Sequence, residues 1–516
     1  MAKPLAVADL DSLTSWNAEW RGLKVAVLGL GVTGFAVADT LVELGCEVLV
    51  VAAKADPQRA DLLDVIGARL VVEADPDAVP PELVDLAPEL VVVSPGYRLD
   101  HSLVAWAQGR GIPLWGDIEL AWRLRDRSGV VAEWIAVTGT NGKTTTVQLT
   151  THLLVAAGHR AASVGNIGVP VLDAIRDPVG FEVLVVELSS FQLHWMRRAG
   201  PGAIEPLASV CLNVADDHLD WHGSREAYAQ AKGTVYFNTR VACVYNRSDE
   251  ATMHMVEEAD VQEGCRAIGF GLGAPGQSDF GLVGDIVLDR AFLSDRHTSA
   301  LELTTHGELA AVGLAAPHML SNVLAASALA RAFGIPAESV REGLATFRAD
   351  RHRAEPVSLI DGVLWVDDSK ATNSHAADAS LAAFDSVIWI VGGLLKGTDI
   401  SPLVEKHFAR LKSVVVIGTD RQPVVEAFGR HAPGVPVFEV TATETEGVMP
   451  EAVRFALDVA GKDDVVLLAP AAASMDQFTD YADRGDRFAA AVRELTGGAD
   501  DVEPPPDDAS TPPDPT

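Results

Sequence analysis

The stretch WIAVTGTNGKTTT at 134–146 admits few folds. Its apolar residues Trp134 to Val137 suit a buried strand, a glycine-containing turn follows, and Lys143-Thr144 opens a helix. Such a turn points backbone N–H groups and the positive end of a helix dipole at one spot, which is how proteins cradle phosphate oxygens. Gly139 and Gly142 free the backbone, Lys143 can neutralise phosphate charge, and Thr144 can ligate Mg²⁺. Only Thr140 and Asn141 separate the two glycines, where the common phosphate loop has four residues. A nucleotide bound here needs a group to receive its phosphoryl.

A second strand–glycine–helix unit lies near the start, KVAVLGLGVTG running into FAVADTLVELG and EVLVV. Gly29, Gly31 and Gly34 have the dinucleotide spacing, but Ala52 and Ala53 stand where a ribose-binding acid should close the second strand. That argues against NAD and leaves a diphosphate over the helix N-terminus. LVVVSPG at 90–96 and IPLWGDIEL at 112–120 predict two further strands, and the polar DRSG near 126–129 predicts a linker.

The strand–helix rhythm continues through FEVLVVELSS (181–190) and ASVCLNVADDHLDWHG (208–223). A Gly-rich segment at 264–313 predicts short strands and loops, and helices follow near 319–334 and 337–347. After residue 350 the rhythm restarts with VLWVDDSKATN, SVIWIVGGLLKGTD, SVVVIGTD and DVVLLAPAAASMDQF. A chain of 516 residues suits roughly three domains of about 150 residues each. The expected boundaries are 1–127, 128–349 and 350–497, and the proline-rich acidic stretch 498–516 reads as a disordered tail.

The net charge of −32 excludes nonspecific binding to nucleic acid or anionic membrane, because phosphate contact needs clustered Lys and Arg. Cys46, Cys211, Cys243 and Cys265 show no CxxC or zinc spacing and are expected to be reduced packing residues. Asp9, Asp11 and Glu19 replace the basic, then apolar, start of a signal peptide, and no run reaches about 18 apolar residues. A cytosolic protein without membrane insertion is expected.

Three more residues bear on chemistry. Glu187 ends the strand VLVVE, beside the phosphate-loop strand, where it can face Mg²⁺ or act as a solvated strand-end acid or helix cap. His218 follows another apolar strand among Asp216, Asp217 and Asp220, a metal or substrate position if not plain surface. Lys232, in SREAYAQAK, is by composition an ordinary solvated helical lysine.

Together these stretches resemble the Mur ligases, ATP-dependent amide-forming enzymes of peptidoglycan synthesis. The resemblance rests on TGTNGKTTT, GNIG (165–168), ELSSFQL (187–193), NVADDHLDWHG with Lys232, the helix containing Asn322, and HRAE (352–355). In the third domain, DDSKATN (367–373), GGLLKG (392–397) and SMDQF (474–478) resemble the branch that adds D-glutamate. The implied fold is α/β in three domains: a Rossmann-like N-terminal domain, a central P-loop-type ATPase domain and a Rossmann-like C-terminal domain.

The resemblance also implies roles. Gly139, Thr140, Asn141, Gly142, Lys143, Thr144 and Thr145 would hold the ATP phosphates, and Asn322, Arg353 and Asp368 would hold adenine, phosphate and ribose. Of two Mg²⁺ ions, one would sit on Thr144 and Glu187 and the other on His218 and Lys232, the lysine as a carbamate. Lys143, His218 and Lys232 would be catalytic. Val32, Thr33, Ser94, Gly96 and Asn166 would hold the UDP-sugar, UDP-MurNAc-L-Ala, while Thr372, Lys396, Ser474 and Tyr481 would grip D-glutamate.

A monomer acting on small molecules is expected, with ATP between the second and third domains, so that catalysis requires closure. Three departures from the family pattern stand out: Ala52 and Ala53 replace polar uracil contacts, Met319 replaces the first asparagine of HNxxN, and Tyr481 replaces a phenylalanine. The rivals are another Mur ligase, a folylpolyglutamate synthase, or a nucleotide-binding regulator. DDSKATN and Lys396 oppose the first two; intact Lys143, Glu187, His218 and Lys232 oppose the third.

Overall fold

The computed structural model describes residues 9–348, 351–395 and 398–497; Lys396 and the acidic tail from residue 498 lie outside the described residues. Two compact units divide the chain, Met1–Phe347 and Arg348–Thr516, and three sheets lie within them.

The first sheet holds β1 (Lys24–Leu28), β2 (Glu47–Ala52), β3 (Arg69–Val72), β4 (Leu90–Val93) and β5 (Leu114–Gly116), all parallel, in the order β3-β2-β1-β4-β5. Val- and Leu-rich β1, β2 and β4 are buried almost throughout, as strands covered on both faces must be. The order reverses between β1 and β4, so a crevice opens at their carboxyl ends, beside the glycine turn and the loop from Ser94.

Gly29 lies at φ +100°, and a Cβ on Gly34 would come within 2.1 Å of the Gly29 carbonyl oxygen. Gly34→Ala should therefore push the helix Val32–Glu43 off its strand at a cost of about 1–3 kcal/mol. A lowered Tm checks this; an unchanged Tm would mean the turn relaxes freely.

The stretch 112–120 is not one strand. β5 ends at Gly116 and a helix, Asp117–Arg123, takes over. Gly116 caps it, Asp117 and Glu119 occupy the first turn and Arg123 the last, the charge order that a helix dipole favours. Nor is 126–129 a free connection. Asp126 accepts hydrogen bonds from the Ser15 hydroxyl and the Trp16 amide, Arg127 pairs with Glu43 at 2.6 Å, and Trp122 meets Trp134 edge-on at 5.1 Å. One buried apolar cluster runs from Leu13 to Cys243, across the first two sheets.

The second sheet holds β6 (Glu133–Thr138), β7 (Ala161–Gly165), β8 (Val183–Glu187), β9 (Ala208–Cys211), β10 (Ala242–Asn246), β11 (Arg266–Phe270), β12 (Asp279–Val283), β13 (Ile286–Asp289) and β14 (Leu301–Thr305). Their order is β14-β13-β12-β11-β10-β9-β6-β8-β7, parallel from β7 to β12 and antiparallel beyond. Of the short strands read at 264–313, β11 and β12 extend the parallel sheet, and β13 and β14 form its antiparallel margin. Helices Pro317–Phe333 and Ala337–Thr346 pack on the helix Lys143–Ala156.

The third sheet, in the second unit, holds β15 (Glu355–Ile360), β16 (Val363–Asp367), β17 (Val387–Gly392), β18 (Leu411–Ile417), β19 (Val437–Glu439) and β20 (Val465–Leu468), ordered β15-β16-β20-β17-β18-β19. All but β15 run parallel, and apolar clusters cover both faces. Because β20 lies between β16 and β17, the loops at 368–373, 393–395 and 469–474 leave the sheet side by side.

No helix among the described residues is long and apolar enough to cross a membrane. All four cysteines are free, and burial pushes the thiols of Cys46 and Cys211 up to about 12, which leaves them unreactive.

Candidate active site

At the carboxyl end of β6 the chain turns through Gly139 and Gly142, at φ +152° and +82°, into the helix Lys143–Ala156. Neither glycine tolerates a side chain: a Cβ on Gly139 would press Leu212 at 2.9 Å, and one on Gly142 would meet Asn322 Oδ1 at 2.4 Å. The loop is held from the β9 side. The Thr140 amide donates to the Asn213 carbonyl, and the Asn141 amide donates to Asn213 Oδ1 at 2.8 Å. Lys143 Nζ folds back onto the Gly139 and Thr140 carbonyls at 2.9 and 2.8 Å. Thr144 begins the helix beside it, and Thr145 is buried.

Lys232 is not solvated. It is 2% exposed, its Nζ donates to the Gly139 carbonyl at 2.9 Å, and it lies 4.7 Å from the centroid of the Tyr228 ring. Burial, and then the neighbouring Lys143 ammonium, pull its pKa down to about 7. Tyr228 in turn shares a 3.0 Å hydrogen bond with the Thr140 hydroxyl. The helix Arg225–Gly233 thus inserts a lysine under the phosphate loop.

Glu187 ends β8 and pairs in register with Val137 of β6, so the strand beside the loop delivers it to the same edge. It is 2% exposed; Oε1 accepts from Asn166 Nδ2 at 3.1 Å, while Oε2 is buried without a hydrogen-bond partner among the described residues. A buried carboxylate oxygen left over from protein hydrogen bonding suits a metal ligand. His218 sits beyond β9 at φ +52°, its Nε2 3.6 Å from Asp217 Oδ2 and its ring 4.8 Å from Phe191. In the second sheet, then, Lys143, Thr144, Glu187 and His218 all stand at or just beyond carboxyl strand ends, with Lys232 reaching in below. Asn322, 7% exposed, is packed against Gly142 and accepts from the Thr146 hydroxyl at 3.4 Å, and Met319 is buried on the same helix.

In the first sheet the proposed sugar contacts also converge. Val32 and Thr33 open the helix after Gly31, and Ser94 and Gly96 follow β4. Ser94 Oγ is buried without a hydrogen-bond partner among the described residues and lies 2.7 Å from where a Gly29 Cβ would stand.

In the third sheet, Asp368 is buried past the end of β16, and burial raises its pKa to about 6. Its oxygens accept from the Ala354 amide at 3.2 Å and from the Ser380 hydroxyl, so it faces the segment that carries Arg353. Thr372 precedes the helix Ser374–Ala382, Ser474 is buried, and Tyr481 opens the helix Tyr481–Thr496 with its ring 3.6 Å from Lys370 Nζ.

Residues not singled out from sequence bind these loops together. Arg484, fully buried, donates to the Ser369 hydroxyl and carbonyl and to the Ala472 carbonyl, and Ser369 Oγ donates to the Tyr481 carbonyl. His352 Nδ1 lies 2.7 Å from Asp367 Oδ2. Asp117, buried with its pKa raised to about 6 by burial, accepts from Gln192 of the helix that follows Glu187. Ser369, His352 and Gln192 lie within the stretches DDSKATN, HRAE and ELSSFQL, Tyr228 had a signal in its i, i+4 spacing to Lys232, and Arg484 had none.

Three family models match the chain: a Mur ligase MurD-like N-terminal domain over residues 23–116, a Mur ligase middle domain over 137–330, and a Mur ligase glutamate ligase domain over 352–472. A UDP-N-acetylmuramoylalanine–D-glutamate ligase of Leifsonia xyli subsp. xyli is 64% identical, covering 95% of this chain and 96% of its own. The ligase of the same name from Streptomyces avermitilis is 52% identical over 92% of this chain and 99% of its own. Among solved structures, a UDP-N-acetylmuramate-alanine ligase MurC of Thermotoga maritima aligns with a TM-score of 0.53 at 19% identity, covering 92% of this chain and 100% of that one. A Thermotoga maritima MurF ligase in complex with ADP aligns with a TM-score of 0.51 at 16% identity, covering 94% and 99%; at such identities the likeness is one of fold.

Proposed function

The chain belongs to the Mur ligase family, and from that premise we propose that it joins D-glutamate to UDP-N-acetylmuramoyl-L-alanine with ATP, in peptidoglycan precursor synthesis. The choice of amino acid rests on the curated relatives. The observation that carries phosphoryl transfer is Lys232 buried against the Gly139 carbonyl, directly beneath the loop that presents Lys143. A buried amine beside a second lysine has no packing rationale; beneath bound phosphate it has one.

The acceptor of the phosphoryl group is the alanyl carboxylate of the sugar nucleotide. Its oxygen attacks the γ-phosphorus, ADP leaves, and an acyl phosphate remains; the amine of D-glutamate then attacks the acyl carbon, inorganic phosphate departs, and the amine's proton is lost as the amide forms. Lys143 and the amides of 142–145 hold the transferring phosphate, in the loop that Gly139, Thr140 and Asn141 shape. Thr144 and Glu187 would hold one Mg²⁺, and His218 with Lys232 as its carbamate a second; bound magnesium supplies neutralisation of phosphate and carboxylate charge. The carbamate arises when the neutral Lys232 amine adds CO₂ and releases a proton.

Asn322, Arg353 and Asp368 hold the nucleoside and phosphate of ATP. Val32, Thr33, Ser94, Gly96 and Asn166 hold the sugar nucleotide, and Thr372, Lys396, Ser474 and Tyr481 hold D-glutamate. Residues 1–127, 128–349 and 350–497 serve chiefly the sugar nucleotide, ATP and the amino acid in that order, with Asn166 assigned to the sugar nucleotide and Arg353 and Asp368 to ATP. The enzyme works as a monomer in the cytoplasm, where its nucleotide substrates are made.

Phosphate release from protein, ATP, UDP-MurNAc-L-Ala and one amino acid at a time tests the reading. D-Glutamate alone should support turnover; equal release with another amino acid, or with none, would sink it. With D-glutamate omitted, hydroxylamine should trap the activated carboxyl as a hydroxamate, and repeated failure with active enzyme would exclude the acyl phosphate.

A further inference from the structure

Trp221 stands in a helical turn, Leu219–His222, that starts directly after His218. Its indole Nε1 donates to the Tyr97 carbonyl at 3.2 Å, across 124 residues of sequence. Tyr97 belongs to the loop with Ser94 and Gly96: its amide donates to the Ser94 carbonyl at 3.1 Å, and its ring edge lies 3.2 Å from where a Gly29 Cβ would stand. One indole therefore touches the loop over the first-sheet glycine turn and the loop that carries His218.

The His218 side is assembled from rings. The Trp221 ring centroid lies 4.8 Å from Phe191, 5.3 Å from His194 and 4.5 Å from His222. Phe191 lies 4.8 Å from the His218 imidazole, and His222 Nε2 is 2.9 Å from the Ser190 hydroxyl. Phe191 and Ser190 open the short helix Ser190–Trp195, just beyond Glu187. A single helical turn has too few backbone bonds to fix its own position, so side-chain contacts must set where His218 points. The Trp221 amide donates to the His218 carbonyl at 3.1 Å, which passes the position of the indole to the histidine backbone.

We propose that Trp221 is a positioning residue that links the sugar-nucleotide loop at 94–97 to His218, so that binding of the acceptor orders the loop bearing a catalytic group. The inference rests on the assignment of UDP-MurNAc-L-Ala as acceptor. Linkage is reciprocal: if the acceptor orders the His218 loop, loosening that loop weakens acceptor binding by the same factor.

W221F keeps a six-membered aromatic ring and removes the pyrrole ring with its N–H. Loss of one neutral hydrogen bond is a factor of about five in an equilibrium. The KM and the calorimetric Kd for UDP-MurNAc-L-Ala should rise about five-fold, while the KM values for ATP and D-glutamate stay within about two-fold. W389F serves as a control, because Trp389 Nε1 likewise donates to a buried carbonyl, that of Ala469 in the third sheet. It should lower the Tm and leave the sugar-nucleotide KM as in wild type.

Unchanged sugar-nucleotide KM and Kd in W221F, or an equal change for all three substrates, would overturn the proposal. Should W221F not fold, hydrogen exchange on the wild type decides: UDP-MurNAc-L-Ala without ATP should slow the amides of 218–223, and no slowing would refute the link. Absence of turnover by the wild type with UDP-MurNAc-L-Ala would instead remove the functional reading beneath it.

Discussion

Lys143→Ala is expected to lower kcat by at least about 10³-fold while leaving equilibrium binding of UDP-MurNAc-L-Ala near the wild-type value. The two halves of this expectation have separate causes. Lys143 Nζ sits on the Gly139 and Thr140 carbonyls, where a phosphate would be met, and the proposed sugar contacts other than Asn166 stand at the end of a different sheet. Removing a preorganised positive charge from a developing phosphoryl transition state costs in the range of an oxyanion-hole donor or more. A second effect adds to it. The Lys143 ammonium is one cause of the low pKa of Lys232, so in the alanine variant Lys232 should hold its proton to higher pH. A protonated amine cannot add CO₂, and residual activity in Lys143→Ala should therefore climb at alkaline pH more than wild-type activity does. Single-turnover assays across pH, paired with calorimetry for the sugar nucleotide, check both parts. Wild-type kcat in this variant would remove ATP from this loop.

Sequence made the phosphate loop legible because three independent signals coincide there: the apolar run that becomes β6, two glycines at positive φ, and a helix that opens on lysine. Glu187 was legible for a related reason, since β8, like β6, is a short apolar run and parallel pairing puts their ends together. The burial of Lys232 was not, because a lysine in a polar helix is exposed by default. Its neighbours carried a hint: Tyr228 and Ala231 share its helical face and both are buried. The helix Asp117–Arg123 was missed because a short apolar run after a strand reads equally as more strand. Arg484 and Trp221 were invisible for another reason. Each acts through a contact more than a hundred residues away in sequence, with Ser369 and Tyr97, and no local pattern encodes such a partner.

Lys232→Ala should be nearly inactive yet partly rescued by acetate, whereas Lys232→Met should be inactive, beyond rescue, and more stable than wild type in the ligand-free state. Burial and the Lys143 ammonium oppose a charge at this position, and the amine loses its proton near pH 7 in the folded protein against about 10.5 in the unfolded chain. The unfolded chain therefore binds more protons between those values, and stability contributed by this group rises with pH from about 7 to about 10.5. Below pH 7 the full penalty of burying the ammonium is present, on the order of a few kcal/mol. Methionine fills the same space without charge, so the Tm gain of Lys232→Met should be largest at low pH and shrink as pH rises through that window. A lysine retained at such a cost must do something methionine cannot. The neutral amine can add CO₂ and become an anionic oxygen-bearing group, and small carboxylates entering the alanine cavity would return those oxygens but find no room beside methionine. Turnover of both variants against acetate concentration, with Tm measured from pH 6 to 9, separates the cases. Equal rescue of both, or a Tm gain independent of pH, would mean that Lys232 works as an ammonium tethering the Gly139 carbonyl, not as a carbamate.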